Sequence, residues 1–525
     1  MNPSQQFTEG VTVSIHDRLL LLAAGVFVYA LQFKLPWYPF FAEGDHLIAP
    51  YNADRMLGGE HMYLDFFQFT FPGAPVLFYC LFLLFGPGLW VINGAVVAIG
   101  GFSFWLTLRT SRHFIGAPYY YLPAVVFLFF GFRWYGLDAS HRMISPIFVL
   151  LAVTLLLRKM SGFYIALAGA ACATASCFTQ QRGLVTGVAI IIFLAADAHF
   201  STKSLRSCLF SVMTFAASFT VTLVALCLYF ILDAGWNTFF ESTIVYPALY
   251  YHFHDQNNYG ALLLGAGRAI SGTGLSPLQI IPIAFYLFVV PVAPIAVFVD
   301  YFYRRCEHPW KYWRAPVLLA LVSAMNIISM PNPTHVRFFG IAGPSLMLTA
   351  WLLYHFDIFG RHAKLAAGVL TTLLIGLAAA QVWRIQLAWT YVPFETPRGM
   401  AYALPSERLN MYMWLRDHTV PGDHAYQVDA PFIYFPLGLR NPSRYGQIFP
   451  TEYTRPEHVR GVVEDLKRRP PRFVWWVNSY DLANELRQPG DHVGQLAEYI
   501  RTEYMSVDVP GSDPDATIME RKAPK

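Results

Sequence analysis

The sequence is poor in charged residues. Asp, Glu, Lys and Arg make up only 13% of its 525 residues, against a usual share of roughly a quarter. Hydrophobic residues make up 55%, and the mean hydropathy is +0.40. This composition is typical of a protein embedded in a bilayer and argues against an ordinary soluble enzyme. The net charge of +4 forms no basic stripe, so no nucleic-acid partner is expected.

Three further features are missing. None of the six cysteines lies after residue 385, which excludes disulfides from that part of the chain. The chain has no glycine-rich loop of the kind that binds nucleotides. No small-residue cleavage site follows the first apolar segment, which is therefore expected to be a retained membrane anchor rather than a signal peptide.

Long apolar runs, in contrast, are abundant. About 20 apolar residues suffice for a helix that crosses a bilayer, and the sequence predicts about eleven such spans. They lie near 17–36, 88–108, 118–134, 142–157, 162–179, 183–198, 208–232, 276–300, 314–331, 337–356 and 364–384. Lysine and arginine concentrate in the loops on the N-terminal side, so the positive-inside rule predicts a cytoplasmic N-terminus.

The composition changes after the last span. Residues 1–384 are expected to form a transmembrane domain, with a first outer loop at about 37–87 and a long, lid-like outer loop at about 233–275. Residues 385–525 contain amphipathic helix patterns at 406–418 and 457–469 and strand patterns at 472–479 and 516–522. The predicted fold class is therefore a polytopic α-helical membrane protein with a small extracytoplasmic α/β domain at its C-terminal end.

The few charged residues gather in the loops that are predicted to lie outside. The stretch "FAEGDHLIAPYNADRMLGGEHMYLDF" (41–66) carries the acidic residues Glu43, Asp45, Asp54, Glu60 and Asp65. Two prolines just before this stretch favour an extended chain, in which the first two of these carboxylates would share one face. The charged residues of the other outer loops that could join them are Asp138, Arg142, Arg182, Glu241, Asp255, Arg268 and Arg337. Carboxylates here could take a proton from a hydroxyl, and arginines could hold a phosphate.

The first outer loop also resembles a known motif. Its "EGD" is similar to the modified Asp-x-Asp motif of the GT-C membrane glycosyltransferases, and "APYNADRMLGGEHMYLDFFQFTFPGAPVLFYCLFLLFG" (49–86) is similar to their first outer loop. The likeness extends to the order of spans and loops and to the outer tail. The relatives it points to are the bacterial branch of the group that contains dolichyl-phosphate-mannose protein mannosyltransferases and aminoarabinose transferases.

This resemblance implies a reaction and a set of site residues. The donor would be a sugar on a polyprenyl phosphate, and the acceptor would be an extracytoplasmic glycan, lipid or protein at the bilayer surface. The acceptor would attack the sugar and displace polyprenyl phosphate with inversion. Asp45 would be the base, with Glu43 and Asp138 as further acidic members of the site. The residues expected to bind the donor phosphate are Arg337, Arg268 and Arg142. No cofactor is certain, and a divalent metal ion stays open because Glu-Gly-Asp departs from a plain Asp-Glu pair.

The residues leave other interpretations open. A transporter or flippase needs polar groups at the bilayer midplane, where this chain offers mainly Asn93 and Asn326. A noncatalytic scaffold would need no acidic residues beside the membrane. Asp45 could be a solvated charge at a helix end, and Arg337 could be an interfacial anchor. The "HFHD" stretch at 252–255 has metal-ligand types, but short His-rich loop stretches are usually not metal sites.

Overall fold

The computed structural model describes residues 15–130, 138–251, 277–330, 335–449, 454–480 and 492–523. The helices in this part of the chain are α1 (Ile15–Gln32), α2 (Ile48–Leu57), α3 (Gly73–Phe85), α4 (Leu89–Ser111), α5 (Leu122–Val125), α6 (His141–Arg158), α7 (Gly162–Phe178), α8 (Gln180–Phe200), α9 (Leu205–Ala234), α10 (Trp236–Phe240), α11 (Tyr246–Leu249), α12 (Pro277–Arg304), α13 (Trp310–Ile328), α14 (His335–His355), α15 (Ala363–Trp383), α16 (Glu407–His418), α17 (Tyr434–Leu437), α18 (Pro456–Arg468) and α19 (Gly494–Glu503). The strands are β1 (Phe33–Lys34), β2 (Tyr38–Pro39), β3 (Val392–Thr396), β4 (Gly399–Ala403), β5 (Ala425–Gln427), β6 (Phe473–Val477), β7 (Tyr504–Ser506) and β8 (Ala516–Arg521).

Helices of membrane-spanning length dominate the structure. Within the described residues, seven are long and apolar enough to cross a bilayer: Ile15–Gln32, Leu89–Ser111, His141–Arg158, Gln180–Phe200, Leu205–Ala234, Ala284–Arg304 and Gly360–Ala388. The predicted polytopic α-helical fold class is thereby confirmed. Four of the eleven predicted spans coincide with helices that are shorter or more polar, such as the 17-residue α7. The count of eleven therefore stays a prediction.

The chain forms two compact units. Unit 1 contains Met1–Leu31, Val96–Leu226 and Asn258–Ile385. Its helices α6, α7, α8, α13 and α14 pack side by side around a buried core that includes Cys172, Phe193, Trp313 and Trp351. Helices α7 and α8 approach each other closely where α8 begins, because a Cβ on Gly183 would lie 2.2 Å from the backbone nitrogen of Ser176. Glycine is therefore required there, and it fixes where the first turn of α8 sits against α7.

Unit 2 contains Gln32–Ala95, Cys227–Asn257 and Gln386–Lys525. Its tail holds a four-stranded sheet in the order β5-β6-β8-β7, in which β5 and β6 are parallel and the other pairs are antiparallel. Strand β6 is buried on both faces, with Val474 and Trp476 in one core and Trp475 on the opposite side. The α/β character of the tail and its predicted helices and strands are confirmed, with α16, α18, β6 and β8 at the expected places.

The first outer loop folds into short helices inside unit 2. Pro50 and the Gly58-Gly59 pair predict a short helix, and α2 spans Ile48–Leu57. The apolar run 74–85, which Gly86 closes, predicts a second short helix. This helix is α3, which packs against α2 and ends at Gly86, where φ is +79°. The ring of Phe82 stacks on that of Phe435 with centroids 5.3 Å apart. The loop is therefore ordered by contacts with the tail, which are remote in sequence.

Candidate functional site

The acidic motif of the first loop lies where the chain leaves the β1–β2 hairpin. Phe41 donates its backbone N–H to the carbonyl of Tyr402 at 2.8 Å, which ties the chain to β4. Gly44 then adopts φ +144°, and a 3₁₀ turn covers Asp45–Leu47. The expected extended arrangement through residues 43–45 is therefore wrong, since Asp45 already belongs to a helical turn that leads into α2.

Glu43 is held by the tail helix α16. Its carboxylate accepts hydrogen bonds from Arg408 Nη1 at 3.1 Å and from the hydroxyl of Tyr412 at 3.3 Å. Burial, together with the charge of Glu43, raises the pKa of Tyr412 well above its usual range, so the hydroxyl stays a donor. Arg408 also binds Asp513 through Nε at 2.8 Å. These contacts fasten the motif to the tail, and they connect residues about 365 apart in sequence.

Asp45 differs from Glu43 in its exposure. It is the first residue of the 3₁₀ turn and is solvent-exposed. The neighbouring His46 ring lies 2.7 Å from the carbonyl of Ala42, which helps to fix this turn. An exposed carboxylate on a fixed turn can approach an acceptor hydroxyl and take its proton.

The other charges of the loop stabilise its fold. Asp54 forms an ion pair with Arg398 at 2.5 Å, and Arg55 binds Glu60 through Nε at 2.7 Å. Arg55 is only 9% exposed, so it is a buried brace rather than a solvating charge. Asp65 accepts a hydrogen bond from the backbone of His61 at 2.7 Å, as expected of a loop brace. The crowding of charge in this stretch is thus largely structural. Of its two exposed carboxylates, Asp45 and Asp65, the second is held by the bond from the His61 backbone.

Asp138 lies at the start of α6 in unit 1. Its carboxylate accepts a hydrogen bond from the backbone N–H of Ser140 at 2.8 Å, which orders the turn that leads into the helix. Its predicted function as a further acidic site residue stays a prediction.

Three arginines of unit 1 share an unusual position. Arg142, Arg182 and Arg337 each lie in the first turn of their helix, in α6, α8 and α14 respectively. Arg142 and Arg337 both act electrostatically on Arg182, and all three act on the ring of His141. We call Arg142, Arg182 and Arg337 the arginine cluster. The positive end of a helix dipole repels a cation, so the cluster places like charges where they are disfavoured and where an anion is favoured.

Arg182 occupies the centre of this cluster. Its Nη1 donates to the backbone carbonyl of Arg142 at 2.6 Å and to Ser145 Oγ at 2.8 Å. Both acceptors are neutral. Among the described residues, no carboxylate forms an ion pair with Arg182.

A small cavity of about 20 Å³ adjoins Arg182. Its walls are mostly apolar, and they come from α4, the segment after α5, α6, α13 and α14. The lining includes Phe127, Met143, Leu150, Val322, Ile341 and Gly343, with Ser103, Ser323 and Asn326 as polar members. This volume holds about one water molecule, so a larger ligand would enter only if the surrounding side chains move. An arginine at the edge of an apolar cavity suits a ligand with an anionic head and a hydrocarbon chain.

The sequence prediction recovers part of this arrangement. Arg142 and Arg337 were expected to bind phosphate, and the structure brings both near Arg182, which was expected among the outer-loop charges but not as a phosphate ligand. Arg182 could have been identified from its position in the first turn of an apolar helix. Arg142 and Arg337 have the same position in their own helices. Arg268 and the stretch 252–255 lie outside the described residues. Within the described residues, no group of three or more His, Cys, Asp or Glu side chains could hold a metal ion.

Comparisons with known proteins were made for sequence and for structure. No family model and no curated protein matches the sequence. Among solved structures, ArnT from Cupriavidus metallidurans in the apo state has a TM-score of 0.57 at 12% identity, with 96% of this chain and 97% of ArnT covered. The same protein bound to undecaprenyl phosphate gives 0.51 at 10% identity, with the same coverage.

An archaeal protein is similar as well. AglB, the oligosaccharyltransferase from Archaeoglobus fulgidus, in complex with an inhibitory peptide and a dolichol phosphate, has a TM-score of 0.50 at 11% identity. The similarity covers 94% of this chain and 73% of AglB. The chain therefore has the fold that ArnT and AglB share, which is the GT-C fold implied by its first outer loop.

Proposed function

We propose that the protein is a glycosyltransferase that moves a sugar from a polyprenyl phosphate to an extracytoplasmic glycan, lipid or protein. The observation that carries this proposal is the arginine cluster beside the apolar cavity. A polyprenyl phosphate has both complementary parts, a phosphate for the arginines and an isoprenoid chain for the apolar side chains of α6, α13 and α14 beside them. Two structures of the same fold contain such lipids, namely ArnT with undecaprenyl phosphate and AglB with dolichol phosphate.

The proposed reaction is a single inverting displacement. Asp45 takes the proton from the acceptor hydroxyl, and the acceptor oxygen attacks the anomeric carbon of the sugar. The bond between that carbon and the phosphate oxygen breaks, and the electron pair leaves with polyprenyl phosphate. Arg142, Arg182 and Arg337 stabilise the negative charge that develops on the leaving phosphate. Arg268, predicted for the same function, remains part of the proposal.

The proposal includes an orientation in the membrane. The protein is integral to a bacterial inner membrane, with its N-terminus in the cytoplasm and residues 385–525 outside. Residues 1–384 form the transmembrane catalytic domain. A divalent metal ion is not needed for this scheme, because the arginines supply the positive charge that the leaving phosphate requires.

The mid-span amides give little support to transport. Asn326 donates to Thr186 Oγ1 and to the carbonyl of Val322, both at 2.9 Å. Asn93 donates to the carbonyls of Gln32 and Phe40 at 2.7 and 3.0 Å. Both amides are thus used in bonds within the protein, whereas a transporter needs midplane polar groups that face its cargo.

The test uses membranes that contain the wild type, Asp45→Asn or Asp417→Asn. Asp417 is an exposed carboxylate paired with Arg416 and serves as the matched control. Each sample receives a panel of radiolabelled polyprenyl-phosphate sugars, and both label transfer and release of free polyprenyl phosphate are scored. We expect transfer by the wild type and the control, and none by Asp45→Asn at equal protein level. Equal transfer by all three would remove Asp45 from the chemistry.

A further inference from the structure

The hydroxyl of Ser140 is buried without a partner at the start of α6. Ser140 is 1% exposed. Its backbone N–H donates to the Asp138 carboxylate at 2.8 Å, and its carbonyl accepts from the N–H of Met143 at 3.1 Å. Among the described residues, its Oγ has no hydrogen-bond partner. A buried hydroxyl without a partner lowers stability, and in a native structure it calls for an explanation.

Other buried hydroxyls on the helices of unit 1 donate within their own helix. Thr107 and Thr154, for example, each donate to the carbonyl four residues earlier, at 2.8 and 2.6 Å. The Oγ of Ser176 is an exception that close packing explains, since a Cβ on Gly183 would lie 2.3 Å from it. Ser140 cannot donate to an earlier turn, because it is the N-cap residue and no turn of α6 precedes it.

The usual function of an N-cap serine is also unused. Ser140 has the extended backbone of an N-cap residue, with φ −76° and ψ 158°, but its side chain makes no capping bond. Thr179, the N-cap of α8, does not cap its helix either. Its Oγ1 donates to the carbonyl of His141 at 3.3 Å and lies 3.1 Å from Nδ1 of that histidine. The N-termini of α6 and α8 are therefore joined to each other, and both keep the partial positive charge that attracts an anion.

Three helices meet at the first turn of α6. From α8, Arg182 donates to the carbonyl of Arg142 at 2.6 Å. From α14, the backbone approaches the same carbonyl, because a Cβ on Gly340 would lie 3.4 Å from its oxygen. Arg337 precedes Gly340 by three residues and so lies on the same face of α14. The arginine cluster therefore borders the turn that Ser140 begins, and a phosphate bound by the cluster lies beside the N-terminus of α6.

We propose that Ser140 binds the donor phosphate, with its hydroxyl donating to a phosphate oxygen that the arginine cluster attracts. The inference rests on the proposed function, and it adds a neutral donor to three cations. A hydroxyl binds a phosphate oxygen strongly because the acceptor is charged. This bond satisfies the hydroxyl that the protein alone leaves without a partner, and the anion complements the positive end of α6. Ser140 therefore serves the ligand rather than the fold.

The test measures the binding of undecaprenyl phosphate, and of the uncharged alcohol undecaprenol, to the purified wild type, Ser140→Ala and Ser161→Ala. Ser161 is the matched control, because it is the N-cap of α7, also makes no capping bond and follows the last turn of α6. For Ser140→Ala we expect the Kd of undecaprenyl phosphate to rise about tenfold, as for the loss of one hydrogen bond to a charged group. The Kd of undecaprenol and the melting temperature should not change. Ser161→Ala should leave all three values unchanged.

A second variant, Ser140→Asp, separates binding from folding in the opposite direction. Its carboxylate can cap α6 and adds negative charge beside the arginine cluster, so the melting temperature should rise. Binding of undecaprenyl phosphate should be lost, because the carboxylate repels the phosphate. If Ser140 served the fold instead, Ser140→Ala would lower the melting temperature and leave the Kd of undecaprenyl phosphate unchanged, and this result would overturn the inference.

The outcomes also separate this inference from the proposed function. If the wild type and Ser140→Ala bind undecaprenyl phosphate equally, only the inference about Ser140 fails. Equal losses of undecaprenyl phosphate and undecaprenol in Ser140→Ala would overturn it as well, since such a loss does not depend on the phosphate. A wild type that neither binds undecaprenyl phosphate nor transfers label from any polyprenyl-phosphate sugar removes the proposed function and this inference together.

Discussion

The charged side chains at the two ends of the helices in unit 1 are arranged in opposite ways. At one end, near the last turn of α8, three buried carboxylates each have a cationic partner. The pairs are Asp17 with Arg112 at 2.5 Å, Asp197 with Lys203 and Arg314 at 2.6 and 2.7 Å, and Asp300 with Arg304 at 3.2 Å. At the first turn of the same helix α8, the arginine cluster gathers three cations.

This difference separates charges that hold the fold from the charge of Arg182, whose guanidinium donates to neutral oxygens. Opposite charges satisfy each other, so the paired end gains its stability from contacts that are complete in the protein alone. The arginine cluster repels itself and lies at the positive ends of helix dipoles. The repulsion between these arginines opposes folding, and a bound anion would offset it. Proteins retain such costs chiefly at functional sites. Measurements of stability and activity for variants at both ends test this difference.

The largest effect on stability is expected at the paired end. Asp197 is 1% exposed and also accepts a hydrogen bond from Trp310 Nε1 at 2.9 Å. Asp197→Asn leaves Lys203 and Arg314 facing each other, which should cost about 3 kcal/mol. The free energy of unfolding in detergent would measure this cost, and turnover per folded molecule should not change.

Glu307→Gln is the control for Asp197. Glu307 is 59% exposed and lies 4.0 Å from Arg304, so its loss should change stability by less than about 1 kcal/mol. Equal effects of the two variants would show that burial does not distinguish these pairs.

The opposite pattern is expected at the arginine cluster. Arg182→Gln keeps an amide donor but removes the charge, and it should lower turnover about 100-fold, the loss typical of removing one donor to a developing anion. Its melting temperature should equal or exceed that of the wild type, because a repulsive charge is gone. Retention of polyprenyl phosphate on the purified protein provides an independent readout. A fall in melting temperature with unchanged turnover would show that Arg182 stabilises the fold and does not act on the leaving phosphate. It would contradict the proposed difference between the two ends.

Local patterns predicted the helices and the tail. Runs of about 20 apolar residues identified helices such as α4 and α9, because one residue after another faces lipid or core. The "RFVWWVNS" pattern located β6, since β-branched and aromatic residues fill both faces of a buried strand. Gly58 and Gly86 were expected to end α2 and α3, and both do.

The site depended on contacts that no local pattern contains. Glu43 meets Arg408 across about 365 residues, and the tail thereby decides that Asp45 rather than Glu43 stays exposed. The arginine cluster joins three helices that are far apart in sequence, so its members could be named as candidates but not assembled. The extended arrangement expected for residues 43–45 failed because Gly44 allows a turn that proline statistics do not anticipate.

A buried histidine in unit 2 offers a further contrast with the arginine cluster, because a histidine can lose its proton and become neutral, whereas an arginine stays charged. His458 is 7% exposed and stacks on Tyr445 with centroids 4.4 Å apart. Burial and, secondarily, the charge of Arg455 lower its pKa to about 4. Above pH of about 6.5 it is neutral in both the folded and unfolded states. As the pH falls towards 4 the unfolded state binds the proton first, so about 3 kcal/mol of stability should be lost.

The measurement for His458 is the free energy of unfolding between pH 7 and pH 4. His458→Phe retains the aromatic stack and should remove this slope. The exposed His418 is the matched control, and His418→Gln should leave the slope unchanged. A slope that survives in His458→Phe would assign the acid sensitivity to carboxylates instead.

The smallest effect is expected at the cavity beside Arg182. The contrast between the two helix ends of unit 1 predicts that this cavity is a ligand site rather than a packing defect. A Cβ on Gly343 would lie 3.3 Å from Leu150 Cδ2, so Gly343→Leu projects a side chain into the cavity. We expect KM for a long polyprenyl-phosphate sugar to rise about tenfold, with kcat changed less, because the lipid chain and not the reacting atoms is obstructed.

Gly368→Leu on α15 is the control, since a Cβ there meets nothing within 4 Å. A donor with a shortened chain should be affected less than the long one. If the cavity were only a packing defect, Gly343→Leu would overpack the core, lower the melting temperature and leave both KM values unchanged.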